Sequence, residues 1–171
     1  STLYAAPINV AASTSIRAIA ISANPLILPS QIETNTYFIN ENSNFDVISV
    51  CGPYTAASSN TAQWLFSFAS PRIWSSFEYF DNNLNHQIEL LGRASRHGQD
   101  SWAYAQKGID FEAMDETGTE SSFNYKFFGT SLRDKFDRVM MKAGGSDNFP
   151  TGFPNNGTHM RDIFAQTLSE K

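Results

Sequence analysis

Hydrophobic and polar positions alternate with a period near two along much of the chain, and clusters of Asn, Gly, Pro and Ser interrupt the alternation at short intervals. That punctuation predicts short strands joined by turns. Residues 3 to 23 read as a small β-module: Tyr4 to Pro7, then Ile8-Asn9-Val10, a Ser/Thr turn, and Ser15 to Ile21, where Ile19 and Ile21 share one parity. Asn24-Pro25 and Leu28-Pro29 break regular structure and mark a linker over 24–34. Thr36 to Ile39 and Phe45 to Val50 follow as strands, then a Gly-Pro turn and a Ser/Thr/Asn-rich loop over 52–62. Trp74 to Phe80 is the strongest strand signal. It runs into Asp81-Asn82-Asn83, a turn cluster that predicts a hairpin into His86 to Leu91. Phe123 to Phe128 suits a strand or a turn, and Phe136 to Lys142 reads as a buried strand.

The last stretch has a different period. Gly144 to Gly157 reads as a loop, Thr158 as an N-cap, and Met160, Ile163, Phe164, Thr167 and Leu168 recur at helical spacing. The expected class is therefore α+β and β-rich: an antiparallel-sheet lobe with one C-terminal helix, preceded by part of a small β-sandwich module.

Composition narrows the function. The 171 residues carry 12 basic and 17 acidic side chains, a net charge of −5, which offers no electrostatic footprint for nucleic acid. No apolar run is long enough for membrane insertion by a helix. Only 17% of residues are charged, against 20 Ser, 12 Thr and 14 Asn, a surface composition suited to an exported β-rich protein. The single cysteine, Cys51, has no intrachain partner and lies in an apolar run, where it reads as a buried small residue. A start without Met and an end directly after the helix signal read as trimmed boundaries.

Two ordered sets of motifs carry a resemblance. Leu3-Tyr4-Ala5-Ala6-Pro7-Ile8 and Ser13 to Ala20 resemble the second half of the chitobiase-type C-terminal β-module of secreted bacterial proteins. From about residue 35 onward, the segments Phe45 to Val50, Trp74 with Phe77-Glu78-Tyr79-Phe80-Asp81, Ile88 to Arg96, Gln106 to Phe111, Phe136 to Asp147 and Met160 to Leu168 resemble, in order, the N-terminal part of the CotH (spore-coat protein H) atypical kinase family. Gly108, Asp110 and Lys142-Ala143 depart from that family's pattern. The resemblance implies a division into 1–23, the end of a β-sandwich module, 24–34, a linker, and 35–171, the nucleotide-side lobe of a CotH-like kinase without its catalytic lobe. It further implies ATP with Mg²⁺ or Mn²⁺ as cofactors of the parent protein, none held tightly by this chain. The expected setting is a secreted or cell-surface bacterial polypeptide with a protein substrate or surface partner.

Lys107 is the sharpest candidate residue. In a strand from Ala105 to Glu112 it shares parity with Ile109 and Phe111, which directs an ammonium toward the apolar side. On that parity alone it reads as a snorkelling edge lysine; the resemblance implies a phosphate contact. Gly92-Arg93-Ala94-Ser95-Arg96-His97-Gly98 reads as a Gly-bounded basic loop, and Arg93, Ser95 and Arg96 in it are candidate nucleotide-binding residues, with a solvated turn as the plainer reading. The spacing of His86, His97 and His159 does not suit zinc, and Asp115 to Glu120 reads as a solvated hairpin tip. No residue is assigned a catalytic role. The rival reading is a non-enzymatic adhesion or glycan- and protein-binding module of a secreted bacterial protein.

Overall fold

The structure, a computed structural model, describes residues 2–52, 72–98, 108–116, 120–129 and 131–142. Nine strands lie among them: β1 (Thr14–Ala18), β2 (Glu33–Tyr37), β3 (Val47–Cys51), β4 (Ile73–Phe80), β5 (His86–His97), β6 (Gly108–Ala113), β7 (Phe123–Asn124), β8 (Lys135–Phe136) and β9 (Arg138–Met141). Five of these form an antiparallel series in the order β3-β4-β5-β6-β9, while β1 with β2 and β7 with β8 form two-stranded sheets. The α+β expectation is thereby corrected: the described residues are all-β and contain no helix. The helical spacing from Thr158 to Leu168 lies outside the described residues.

Contacts divide the chain into two compact units, Ser1–Cys51 with Ser76–Leu90, and Gly52–Ser75 with Leu91–Lys171. In the first unit, β1 pairs with β2 from Thr14↔Tyr37 to Ala18↔Glu33, so β2 begins inside the segment expected as linker. β1 ends at Ala18, and Ile19 and Ile21, expected on the buried parity of a longer strand, are exposed. The hairpin at Asp81 forms as the sequence predicts. Asp81 Oδ1 accepts from the backbone N–H groups of Asn83 and Asn85, each at 2.9 Å, which supports Leu84 at a left-handed φ of 62°.

A buried carboxylate joins the two sheets of this unit. Glu78 on β4 is 2% exposed and accepts from the backbone N–H of Thr36 at 2.9 Å and from its hydroxyl. Thr36 Oγ1 also lies 2.7 Å from Ser15 Oγ and 2.8 Å from Ser49 Oγ. Thr36 thus serves the buried carboxylate directly, and the Ser15 and Ser49 hydroxyls extend the network to β1 and β3. Beside it, Phe77, Tyr79, Phe80 and Leu90 form the apolar core, with Phe38 edge-on to Phe80 at 5.0 Å.

In the second unit, β5 pairs with β6 from Gly92↔Ala113 to His97↔Gly108, and β6 pairs with β9 from Ile109↔Met141 to Glu112↔Arg138. Residues directly opposite in an antiparallel pair share a face. One face therefore bears Gly92, Ala94, Arg96, Ile109, Phe111, Ala113 and Val139, and the other bears Arg93, Ser95, His97, Asp110, Glu112, Arg138 and Met140. Phe111 and Phe123 are fully buried with ring centroids 5.9 Å apart, and the aromatic contacts continue through Phe127 to Phe136. The expected strand from Phe136 to Lys142 is instead two short strands separated at Asp137, with Met140 46% exposed. The break falls where the chain changes partner: Phe136 pairs with Phe123 on β7, whereas Arg138 pairs with Glu112 on β6, and the Asp137 carbonyl between them accepts from Ala113 N–H at 2.9 Å.

Gly92 allows β5 to approach β6 closely. A Cβ there would stand 2.2 Å from the Glu112 carbonyl oxygen and 2.6 Å from Phe111 Cε1, closer than any side-chain carbon is tolerated. We expect Gly92→Ala to lower stability by about 1–3 kcal/mol, the range for overpacking a core. Urea unfolding with the denaturant slope held constant measures this, and an unchanged midpoint would contradict the close approach.

Candidate functional site

The segment read as a basic loop, Gly92 to Gly98, is not a loop. β5 continues through it to His97, because the residues alternate between a small or buried set (Gly92, Ala94, Arg96) and a polar set (Arg93, Ser95, His97). Extended backbone places the candidate residues on opposite faces. Arg93 and Ser95 share the polar face, and Arg96 points to the face of Ala94 and Phe111. Lys107 lies outside the described residues, immediately before β6 in sequence.

Arg93 is engaged within its own face. Its guanidinium donates to Glu116 Oε2 at 2.9 Å and lies 4.8 Å from the Trp74 ring centroid. Arg72 pairs with Glu112 alongside. Ser95 is 9% exposed and stands directly across from Asp110. Arg96 is 5% exposed and directly across from Ile109, a guanidinium carried on the apolar side of a strand.

The strongest convergence of ionisable groups is one that sequence reading left unassigned. Asp110, on β6 between β5 and β9, is 5% exposed. Its Oδ2 accepts from His97 Nδ1 on β5 at 3.0 Å and from the Arg138 guanidinium on β9. Both donors sit diagonally from it, His97 two residues beyond Ser95 and Arg138 two residues before Met140, the residues that face Asp110 directly. Oδ1 is buried and has no hydrogen-bond partner among the described residues. Burial pushes the Asp110 carboxyl upward, but hydrogen bonds from Arg138 and His97 outweigh it and hold the group below the usual carboxylate value. The same bond raises Arg138 above its ordinary value, against the opposing effect of burial.

The sequence did carry a signal for this cluster. In Gly108-Ile109-Asp110-Phe111-Glu112, two acids occupy the parity opposite to Ile109 and Phe111, which marks a polar sheet face. Partner identity was not encoded locally, because Arg138 lies 28 residues away and reaches Asp110 only through the β6–β9 register.

Among the described residues, no group of three or more His, Cys, Asp or Glu side chains could hold a metal ion. Comparison with models of known protein families, with curated proteins and with solved structures finds no match for the chain.

The lowered carboxyl of Asp110 sets the sign of an acid dependence. A carboxylate with a depressed folded-state pKa contributes stability that is present above its ordinary value near 3.8 and is lost as pH falls through the lower folded value. We expect the urea midpoint to fall below about pH 4 in the wild type, and Asp110→Asn to remove part of that slope while lowering the midpoint at neutral pH. Amide exchange at Val139 to Met141 should quicken in this variant. Equal acid slopes in the two proteins would show that Asp110 is not held in its charged form by these partners.

Proposed function

We propose that this chain is the nucleotide-side lobe of an exported, CotH-like phosphotransferase, with the acids that hold divalent metal and the base that orients the acceptor supplied by another part of the same polypeptide. The observation that carries this reading is Arg96: a guanidinium 5% exposed, on the apolar face of a long antiparallel strand and across from Ile109, two residues after Lys107. A planar cation held against an apolar wall suits phosphate oxygens, because recognition there is bidentate and little screened by water.

Arg93 and Ser95 belong to the opposite face and take a supporting role, since Arg93 already serves Glu116 and Trp74. The phosphate contacts of the proposal are Arg96, on the face of Ala94 and Phe111, and Lys107. ATP supplies the transferable phosphoryl group when bound, and Mg²⁺ or Mn²⁺ accompanies its phosphates. The motif order from Phe45 to Leu168 and the low-charge, Ser/Thr/Asn-rich composition support a secreted or cell-surface location.

A second reading has its own observation. Leu3, Tyr4, Ile8, Leu26 and Leu28 are each more than 60% exposed within one short stretch of chain, which favours a surface that meets another macromolecule and suits an adhesion module.

Two measurements separate these readings. The 171-residue chain, incubated with labelled ATP, Mg²⁺ or Mn²⁺ and casein, should incorporate no label, because it contributes phosphate contacts without a metal-held acceptor site. Incorporation exceeding one phosphate per chain would overturn the lobe assignment. In the full-length polypeptide, Lys107→Met and Arg96→Met should each weaken ATP binding by about one to two powers of ten, from roughly 1.5–3 kcal/mol for a charged hydrogen bond. Calorimetry showing unchanged ATP affinity in both variants would leave the adhesion reading in place.

A further inference from the structure

The polar face of β5, β6 and β9 carries an arrangement that the nucleotide reading does not use. Ionised Asp110 can only accept hydrogen bonds, so the 3.0 Å contact requires His97 to donate from Nδ1. This fixes the tautomer and leaves the lone pair of a neutral imidazole on Nε2. The His97 side chain is 35% exposed, whereas Asp110 behind it is buried. Directly across from His97 stands Gly108, which places no side chain beside the ring; a Cβ there would approach His97 Cβ to 3.3 Å. Arg138 gives one N–H to Asp110, and its side chain is 48% exposed.

We propose that His97 is the proton-accepting base of a hydrolytic site on this face, with Asp110 as its positioning residue and Arg138 as the cation that meets developing negative charge, acting on small carboxylic esters. A base oriented by a buried carboxylate, with a cation alongside, is the minimal apparatus for adding water to an acyl group. A tie between strands is already provided by Arg138 and Asp110, and would not need a partly exposed imidazole on the same oxygen. Among the described residues, the buried Oδ1 of Asp110 has no partner, a cost that the strand tie by itself does not explain.

The step balances without any added cofactor. Water attacks the ester carbonyl carbon, a C–O bond forms, and the carbonyl electron pair moves onto oxygen beside Arg138. The proton lost by water passes to His97 Nε2. Collapse of the tetrahedral intermediate breaks the bond to the leaving oxygen, which takes the proton back from Nε2 and departs as the alcohol. Ester and water become acid and alcohol.

This site is independent of ATP, so its failure would leave the nucleotide reading untouched. The test uses the 171-residue chain and p-nitrophenyl acetate, with free imidazole at equal concentration as the control. The wild type should release p-nitrophenol faster than imidazole does, and His97→Gln should lower the rate at least about 100-fold, the lower end for general base catalysis. Nitrogen-detected NMR of the imidazole should place the proton on Nδ1, and Asp110→Asn should shift it toward Nε2 while slowing hydrolysis. His97→Gln changes a partly exposed ring, and an unchanged circular dichroism spectrum verifies its fold; if Asp110→Asn unfolds, the His97→Gln rate and the wild-type tautomer decide. A wild type no faster than His97→Gln or than imidazole, or an imidazole proton resident on Nε2, would overturn the proposal.

Discussion

The second unit depends on how a charge is kept inside a sheet. Asp110 sits on β6, between β5 and β9, and is almost wholly buried, so it must have cationic or donating neighbours or give up its charge. His97 and Arg138 provide them from the two flanking strands, and the register of both pairings follows from that requirement as much as from apolar contact. On the opposite face Phe111 packs against Phe123, ring against ring, beside the buried Arg96. One strand therefore satisfies two kinds of chemistry on alternate residues.

The first unit answers a similar problem with a hydroxyl and a backbone N–H. Glu78 is as deeply buried as Asp110, and its donors are the backbone N–H and hydroxyl of Thr36, whose hydroxyl in turn contacts those of Ser15 and Ser49. Hydroxyls both donate and accept, so they relay among themselves while one of them serves the carboxylate. The two-stranded β1–β2 sheet would be marginal in isolation. Its attachment through Thr36 and Ser15 to β3 and β4 makes it part of a larger hydrogen-bonded assembly.

What the sequence made legible was alternation, and what it concealed was pairing at a distance. The β4 strand and the Asp81 turn could be read because a dense run of aromatics from Trp74 to Phe80 leads into a cluster of turn formers, and the hairpin signal is local. The second half of β5 was hidden because its inward residues are small or charged: Gly92, Ala94 and Arg96 lack the apolar bulk that usually reveals a buried parity. The break at Asp137 depends on a change of partner from β7 to β6, and the cluster at Asp110 on a partner from another strand. Neither leaves a mark within a short window. Arg96 and Ser95, neighbours in a motif, end on opposite faces because extended backbone separates adjacent residues.

Gly92 carries a consequence for how the chain finds its fold. If β5 slid along β6 by two residues, every side chain would stay on its proper face, so the apolar pattern would not distinguish the shifted pairing from the native one. The pinch would. After such a slide either Leu90 or Ala94 would stand where only a residue without Cβ fits against the Glu112 carbonyl. The missing carbon works as a key cut for one position: it rejects near-native pairings that hydrophobicity would accept, and selects among topologically identical sheets by exclusion, where the rest of the sequence selects by attraction.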